Sequence, residues 1–73
     1  MENKESAAAL FKALQQLPDK QRIAFSLHRL EAQRHQDIAA VMELSVTAVE
    51  SLIARAKGNL RQILKDYYEK NVA

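Results

Sequence analysis

The side chains best placed to do chemistry in this sequence are cations. Arg55, Lys57, Arg61 and Lys65 stand between Leu52 and Lys65, a stretch that holds no acid. Such a strip can face an anionic partner. It is also what an ordinary solvated helix face looks like, and charge alone does not separate the two. Just ahead of it come Val46, Thr47, Glu50 and Ser51. Small or polar side chains of this kind can reach base edges in a DNA groove. Glu50 can accept a hydrogen bond from a cytosine amino group. Equally, an acid near a helix N-terminus is favoured by the helix dipole. Metal and hydrolytic chemistry find little support. Cysteine is absent, which removes thiolate zinc sites and a cysteine nucleophile. The two histidines, His28 and His35, fall short of the three or four donors a metal site needs. His35 and Asp37 are two apart and diverge on a helix, with no third group implied to orient them. His35, near a helix start, can instead touch a phosphate. No enzyme activity and no cofactor are expected.

These residues need a frame, and the apolar spacing supplies helices nearly throughout. Ser6 is expected to cap a first helix running to about Gln16, with Leu10, Phe11, Leu14 and Leu17 on one face. Pro18 disfavours helix at Leu17 and suits the first turn of a second helix, to about Leu30. Its apolar positions are Ile23, Phe25, Leu27 and Leu30. Glu31 to Arg34 reads as a connection. A short third helix, about His35 to Met42, buries Ile38, Ala39 and Met42. After the break Glu43-Leu44-Ser45, the Ser45 side chain can accept the N–H bonds that start a fourth helix.

That fourth helix carries the clearest signal. Val49, Ile53, Ala56, Leu60, Ile63 and Tyr67 recur at spacings of four and three, within about 40° of one line. The other side carries Thr47, Glu50, Ser51, Ala54, Gly58, Arg61 and Lys65. Of Tyr67 and Tyr68, one ring is expected packed and one exposed. Gly58 in mid-helix costs about 1 kcal/mol against Ala. It marks either a tolerated weak spot or a close approach to a partner. A short helix, a tight break and a longer amphipathic helix make a helix-turn-helix. Ala39 sits where close approach favours a small side chain, and Val49 where an apolar one packs back. A plain helical hairpin has the same periodicity.

Composition agrees with a small all-α domain. With 73 residues the chain makes one domain, 1–73, with its core at 7–67. Hydrophobic residues at 48% and charged ones at 27% describe a globular rather than a disordered chain. One Gly and one Pro are too few for a strand-and-turn fold. No apolar run approaches the roughly 18 residues of a membrane helix, and the opening residues are too polar for a signal peptide. A cytoplasmic protein without a membrane partner is expected. The net charge of +2 is concentrated late: Met1 to Glu43 balance, and the excess lies from Leu44 onward.

A series of residues has a familiar order. Leu17-Pro18-Asp19-Lys20-Gln21-Arg22 opens it, followed by Phe25 and Leu27 and then Asp37-Ile38-Ala39. Ser45-Val46, Ala48-Val49-Glu50-Ser51-Leu52, Arg55-Ala56-Lys57 and Leu60-Arg61 complete it. The series resembles region 4 of bacterial sigma factors, nearest the extracytoplasmic-function group, over about Leu14 to Leu64. The chain departs from that pattern at several points. Ala32 and Glu43 stand where the family usually has Gly, Arg34 where it often has a Ser cap, and Asp37 where it has Glu. Glu50 stands for its usual basic residue, and Leu52 for a frequent Arg. Glu43 must adopt the turn at some strain or shift it.

The resemblance implies four helices ending in a helix-turn-helix, of winged-helix-like type without a sheet. It implies binding to the minus-35 promoter element in transcription initiation. Val46, Thr47, Glu50 and Ser51 would face bases, and Arg55, Lys57 and Arg61 would reach phosphates. The implied partners are promoter DNA, the flap of the RNA polymerase β subunit and an anti-sigma factor. A complete sigma factor also needs the domain that melts the promoter; these residues do not supply it, so a fragment is expected. Two other readings stay open: a response-regulator output domain, and a helical protein-interaction module that does not bind DNA. The first and second helices carry many apolar side chains for so thin a core, so some are expected exposed in a cleft.

Overall fold

The computed structural model describes residues 2–71. Four helices account for the regular structure of these residues: α1 (Glu2–Gln15), α2 (Asp19–Arg29), α3 (His35–Met42) and α4 (Val46–Asn71). The all-α architecture with a terminal helix-turn-helix is the one expected. α3 has the expected bounds, and α2 begins one residue later, with Pro18 as its N-cap at φ −55°. The Pro18 carbonyl accepts the Arg22 N–H at 2.9 Å. Ser6 is not a cap, because α1 already runs from Glu2.

α4 holds the molecule together. At 1.5 Å per residue its 26 residues span about 39 Å, most of the 44 Å long dimension. Two apolar clusters sit along it. Toward its start, Ala24 of α2 and Ile38 and Ala39 of α3 pack on Val49 and Ile53. Further on, Ala13, Leu14 and Leu17 from α1 and its following turn join Phe25 of α2 on Ala56 and Leu60. Ala24 and Phe25 are neighbours in sequence yet serve different clusters, so α2 ties the two together. Ile38 and Val49 are fully buried, each worth roughly 1.5–3 kcal/mol.

Small residues decide the packing more than the large ones do. Ala9 and Ala13 turn α1 toward α4, and close approach leaves Phe11 outside at 62% exposure, contrary to its expected place on the packed face. Ile23 and Leu30 of α2 are exposed as well. At 100° per residue they lie about 100–160° from Ala24 and Phe25, the two buried residues of α2. Met42 is partly rather than fully buried. The α4 stripe is buried through Leu60 and opens beyond it. Tyr67 and Tyr68 both reach solvent and pack edge to face on each other, with ring centres 5.2 Å apart. The expected division into one packed and one exposed ring does not occur.

The connections on either side of α3 use the left-handed region without a glycine. Ala32 has φ 56° and Glu43 φ 58°. Glu43 closes α3 in a Schellman arrangement: its N–H donates to the Ala40 carbonyl, and the Leu44 N–H to the Ala39 carbonyl at 2.9 Å. Leu44 then folds back onto the apolar cluster. The turn is therefore kept, at a strain, rather than shifted.

Candidate nucleic-acid interface

The start of α4 is fixed from below and left open above. Ser45 Oγ accepts the Ala48 N–H at 3.0 Å, the bond that stops an N-terminus from fraying. Ala39, small and 7% exposed, lets α3 approach closely, and Val49 packs into that contact. The corner is rigid because its core face is closed. Its outer face is not. Val46, Thr47, Glu50 and Ser51 are all exposed within the first turns of α4, where a helix enters a major groove.

The basic residues Arg55, Lys57 and Arg61 are also exposed, but they do not share one flank. At 100° per residue Lys57 and Arg61 lie about 40° apart, while Arg55 lies about 160° from Lys57. Lys57 and Arg61 continue the line of Glu50 further along α4, and Arg55 lies to one side of it. Arg29, from the last turn of α2, shares a groove with Lys57 and Arg61. A helical wheel of α4 carries no sign of this third cation.

Glu50 has a neighbour that the sequence reading did not pair with it. His35 Nδ1 lies 3.6 Å from Glu50 Oε2, an ion pair whenever the imidazole is protonated. The His35 ring meets the His28 ring at 4.9 Å, and His28 Nδ1 lies 3.4 Å from the Gln33 carbonyl. His35 is thus turned toward α4 rather than standing alone at its helix start. Asp37 goes to Arg34 at 3.5 Å, so His35 and Asp37 do diverge. Among the described residues no group of three or more His, Asp and Glu could hold a metal ion.

A second unforeseen bond ties α2 to the middle of α4. Asn59 Nδ2 donates to Gln21 Oε1 at 2.8 Å, across 38 positions. Gln21 belongs to the Leu-Pro opening, so that opening positions α4 through a side-chain bond as well as through Leu17. Gly58 is exposed and open space surrounds it within the chain, so internal packing does not demand a glycine there. No helix among the described residues is long and apolar enough to cross a membrane.

No curated protein gives a match to the chain. The family described as sigma-70, region 4 matches residues 7–60. That span takes in most of α1, all of α2 and α3, and α4 as far as Leu60, so it contains the corner, the exposed first turns of α4, Arg55 and Lys57. The chain therefore belongs to the sigma-70 region 4 family, the helix-turn-helix DNA-binding domain of transcription-initiating sigma factors.

Proposed function

We propose that this domain reads the minus-35 element of a promoter through the first turns of α4. Val46, Thr47, Glu50 and Ser51 meet base edges in the major groove. Arg55 takes one phosphate ridge, and Lys57 with Arg61 the other. The observation that carries this reading is the closed-below, open-above corner, in which buried Ala39 and Val49 hold four exposed side chains at a helix start. Within the family the residue series sits nearest the extracytoplasmic-function group. Its work lies beside RNA polymerase in the cytoplasm.

The second surface is apolar. Phe11 and Leu30, each 62% exposed, flank a groove between α1 and α2 with Leu14 at its base. A helix presenting an apolar face fits such a groove, and the polymerase β flap is the partner assigned to it here. An anti-sigma factor would act by covering either surface.

Selection of duplexes from a random pool tests the first assignment. Amide shifts on the selected duplex should centre on Val46, Thr47, Glu50 and Ser51 and fade on a scrambled one. Shifts that ignore sequence, or that centre elsewhere, would sink it.

A further inference from the structure

His35 and Glu50 come from different helices and meet at the edge of the exposed corner. His35 opens α3, and Glu50 lies in the second turn of α4. His35 Nδ1 stands 3.6 Å from Glu50 Oε2. That is too long for a hydrogen bond from a neutral ring but within reach of an ion pair. The contact therefore gains its strength when the imidazole takes a proton. Imidazole is the side chain that changes charge between about pH 5 and 8. The two side chains are 34% and 56% exposed, so water weakens the pair in the free domain. A duplex laid over the corner would exclude that water and strengthen it.

The groups around the pair are few. From α2 the His28 ring faces His35, with centres 4.9 Å apart, and His28 Nδ1 lies 3.4 Å from the Gln33 carbonyl. A charge on one ring opposes a charge on the other. Beside His35 in sequence, Arg34 is turned to Asp37 at 3.5 Å, and the α3 N-terminus places the positive end of its dipole there. From α4 the charged group that meets His35 is Glu50. Among the described residues Glu50 has no other partner.

We propose that His35 is a positioning residue for base reading: when protonated it steadies the Glu50 carboxylate and cancels its charge, so the domain binds DNA more tightly and more selectively as pH falls. This rests on the reading of Glu50 as a base contact. A free glutamate gives up side-chain freedom on meeting a base. One held at Oε2 has given it up already, and its other oxygen is left to accept from a cytosine amino group. Charge works in the same direction, since a lone carboxylate repels the phosphates and the neutral pair does not. By linkage the effect is reciprocal: the duplex must take up protons as it binds.

The test has one arm without DNA and one with it, both on the whole chain. In the free domain, the Glu50 carboxyl carbon should shift in step with the His35 ring protons as pH falls from about 8 to about 5.5. In H35Q that step should vanish. A carboxyl that ignores the imidazole overturns the proposal and leaves the promoter reading standing. With DNA, affinity for a scrambled duplex should rise about two- to fivefold over the same range, and the preference for a selected duplex should widen by a similar factor. H35Q should stay at the parent's high-pH values and H35K at its low-pH values, whatever the pH. H28Q should keep the dependence. A dependence that survives in H35Q overturns the proposal. So does a preference that narrows on acidification, because His35 would then be drawing Glu50 away from the base. A carboxyl that follows the imidazole, in a chain that takes no duplex of any sequence, overturns the promoter reading and the positioning role with it.

Discussion

Glu50 is the one acid among the four exposed side chains at the start of α4 proposed to meet bases, and His35 Nδ1 lies 3.6 Å from its carboxylate. Its removal should therefore act differently from removal of a flanking cation. Arg55→Ala deletes a phosphate contact, so affinity should fall alike on all sequences and the salt slope drop by about one unit. Glu50→Ala deletes a base acceptor and a repulsive charge together. Discrimination at one base pair should fall by roughly 1–3 kcal/mol while non-specific binding tightens. Salt titrations of both variants on matched and scrambled duplexes check this. A changed base preference in Arg55→Ala with none in Glu50→Ala would reverse the assigned docking orientation. At this scale the exposed residues of α4 as far as Arg61 were legible in the sequence, because exposure along a packed helix follows from its period; exposed Tyr67 was not, because the packing ends before it. The partners of those residues were not. His35 meets Glu50, Arg29 joins Lys57 and Arg61, and Gln21 holds Asn59. Each pairing depends on how two helices cross, which the period of either helix alone does not contain.

The elements carry two strained turns and one soft spot. Ala32 and Glu43 hold left-handed backbone that costs a non-glycine residue roughly 1–2 kcal/mol. Ala32→Gly and Glu43→Gly should each stabilise the domain by about 1 kcal/mol, less what glycine adds to the freedom of the unfolded chain. For a domain this size 1 kcal/mol is about 4–8 °C in the thermal midpoint, so calorimetry resolves it. An unchanged or lowered midpoint would mean that the turns relax in solution. Gly58→Ala should gain up to about 1 kcal/mol, because the site is open and helical. If DNA affinity falls as stability rises, Gly58 marks a close approach of the phosphate backbone. If affinity holds, it is only a weak spot. Helix existence and the α3 bounds were legible from apolar spacing and from the Ser45 cap. The start of α1 and the outward turn of Phe11 were not, since Ala9 and Ala13, small enough to sit in any environment, choose the packed face.

The whole molecule presents separate surfaces on a thin core, and their independence can be measured. Phe11 and Leu30 are exposed enough that serine at either place should change stability by no more than about 0.5 kcal/mol. A β-flap peptide should nevertheless lose binding to both variants, while DNA binding stays as it was. Loss of DNA binding in step with the peptide would mean one surface rather than two. Duplex binding by the domain alone should be weak. A single module of this kind buries only about 600–1,000 Å² of protein surface. The three phosphate contacts proposed for Arg55, Lys57 and Arg61 would give a salt slope of about −2.7 on B-DNA. Non-specific complexes with so few contacts sit near 10⁻⁴–10⁻⁶ M at physiological salt, and a few base contacts of about 1–3 kcal/mol each improve on that without reaching the range of multi-domain complexes. Held on polymerase by its apolar groove, the same domain would meet its promoter at a high effective concentration and would need no greater affinity. Fluorescence anisotropy on a selected duplex over a series of salt concentrations measures both numbers. A sub-nanomolar constant at physiological salt, or a slope well beyond three, would show contacts beyond the first turns of α4 and its two flanks.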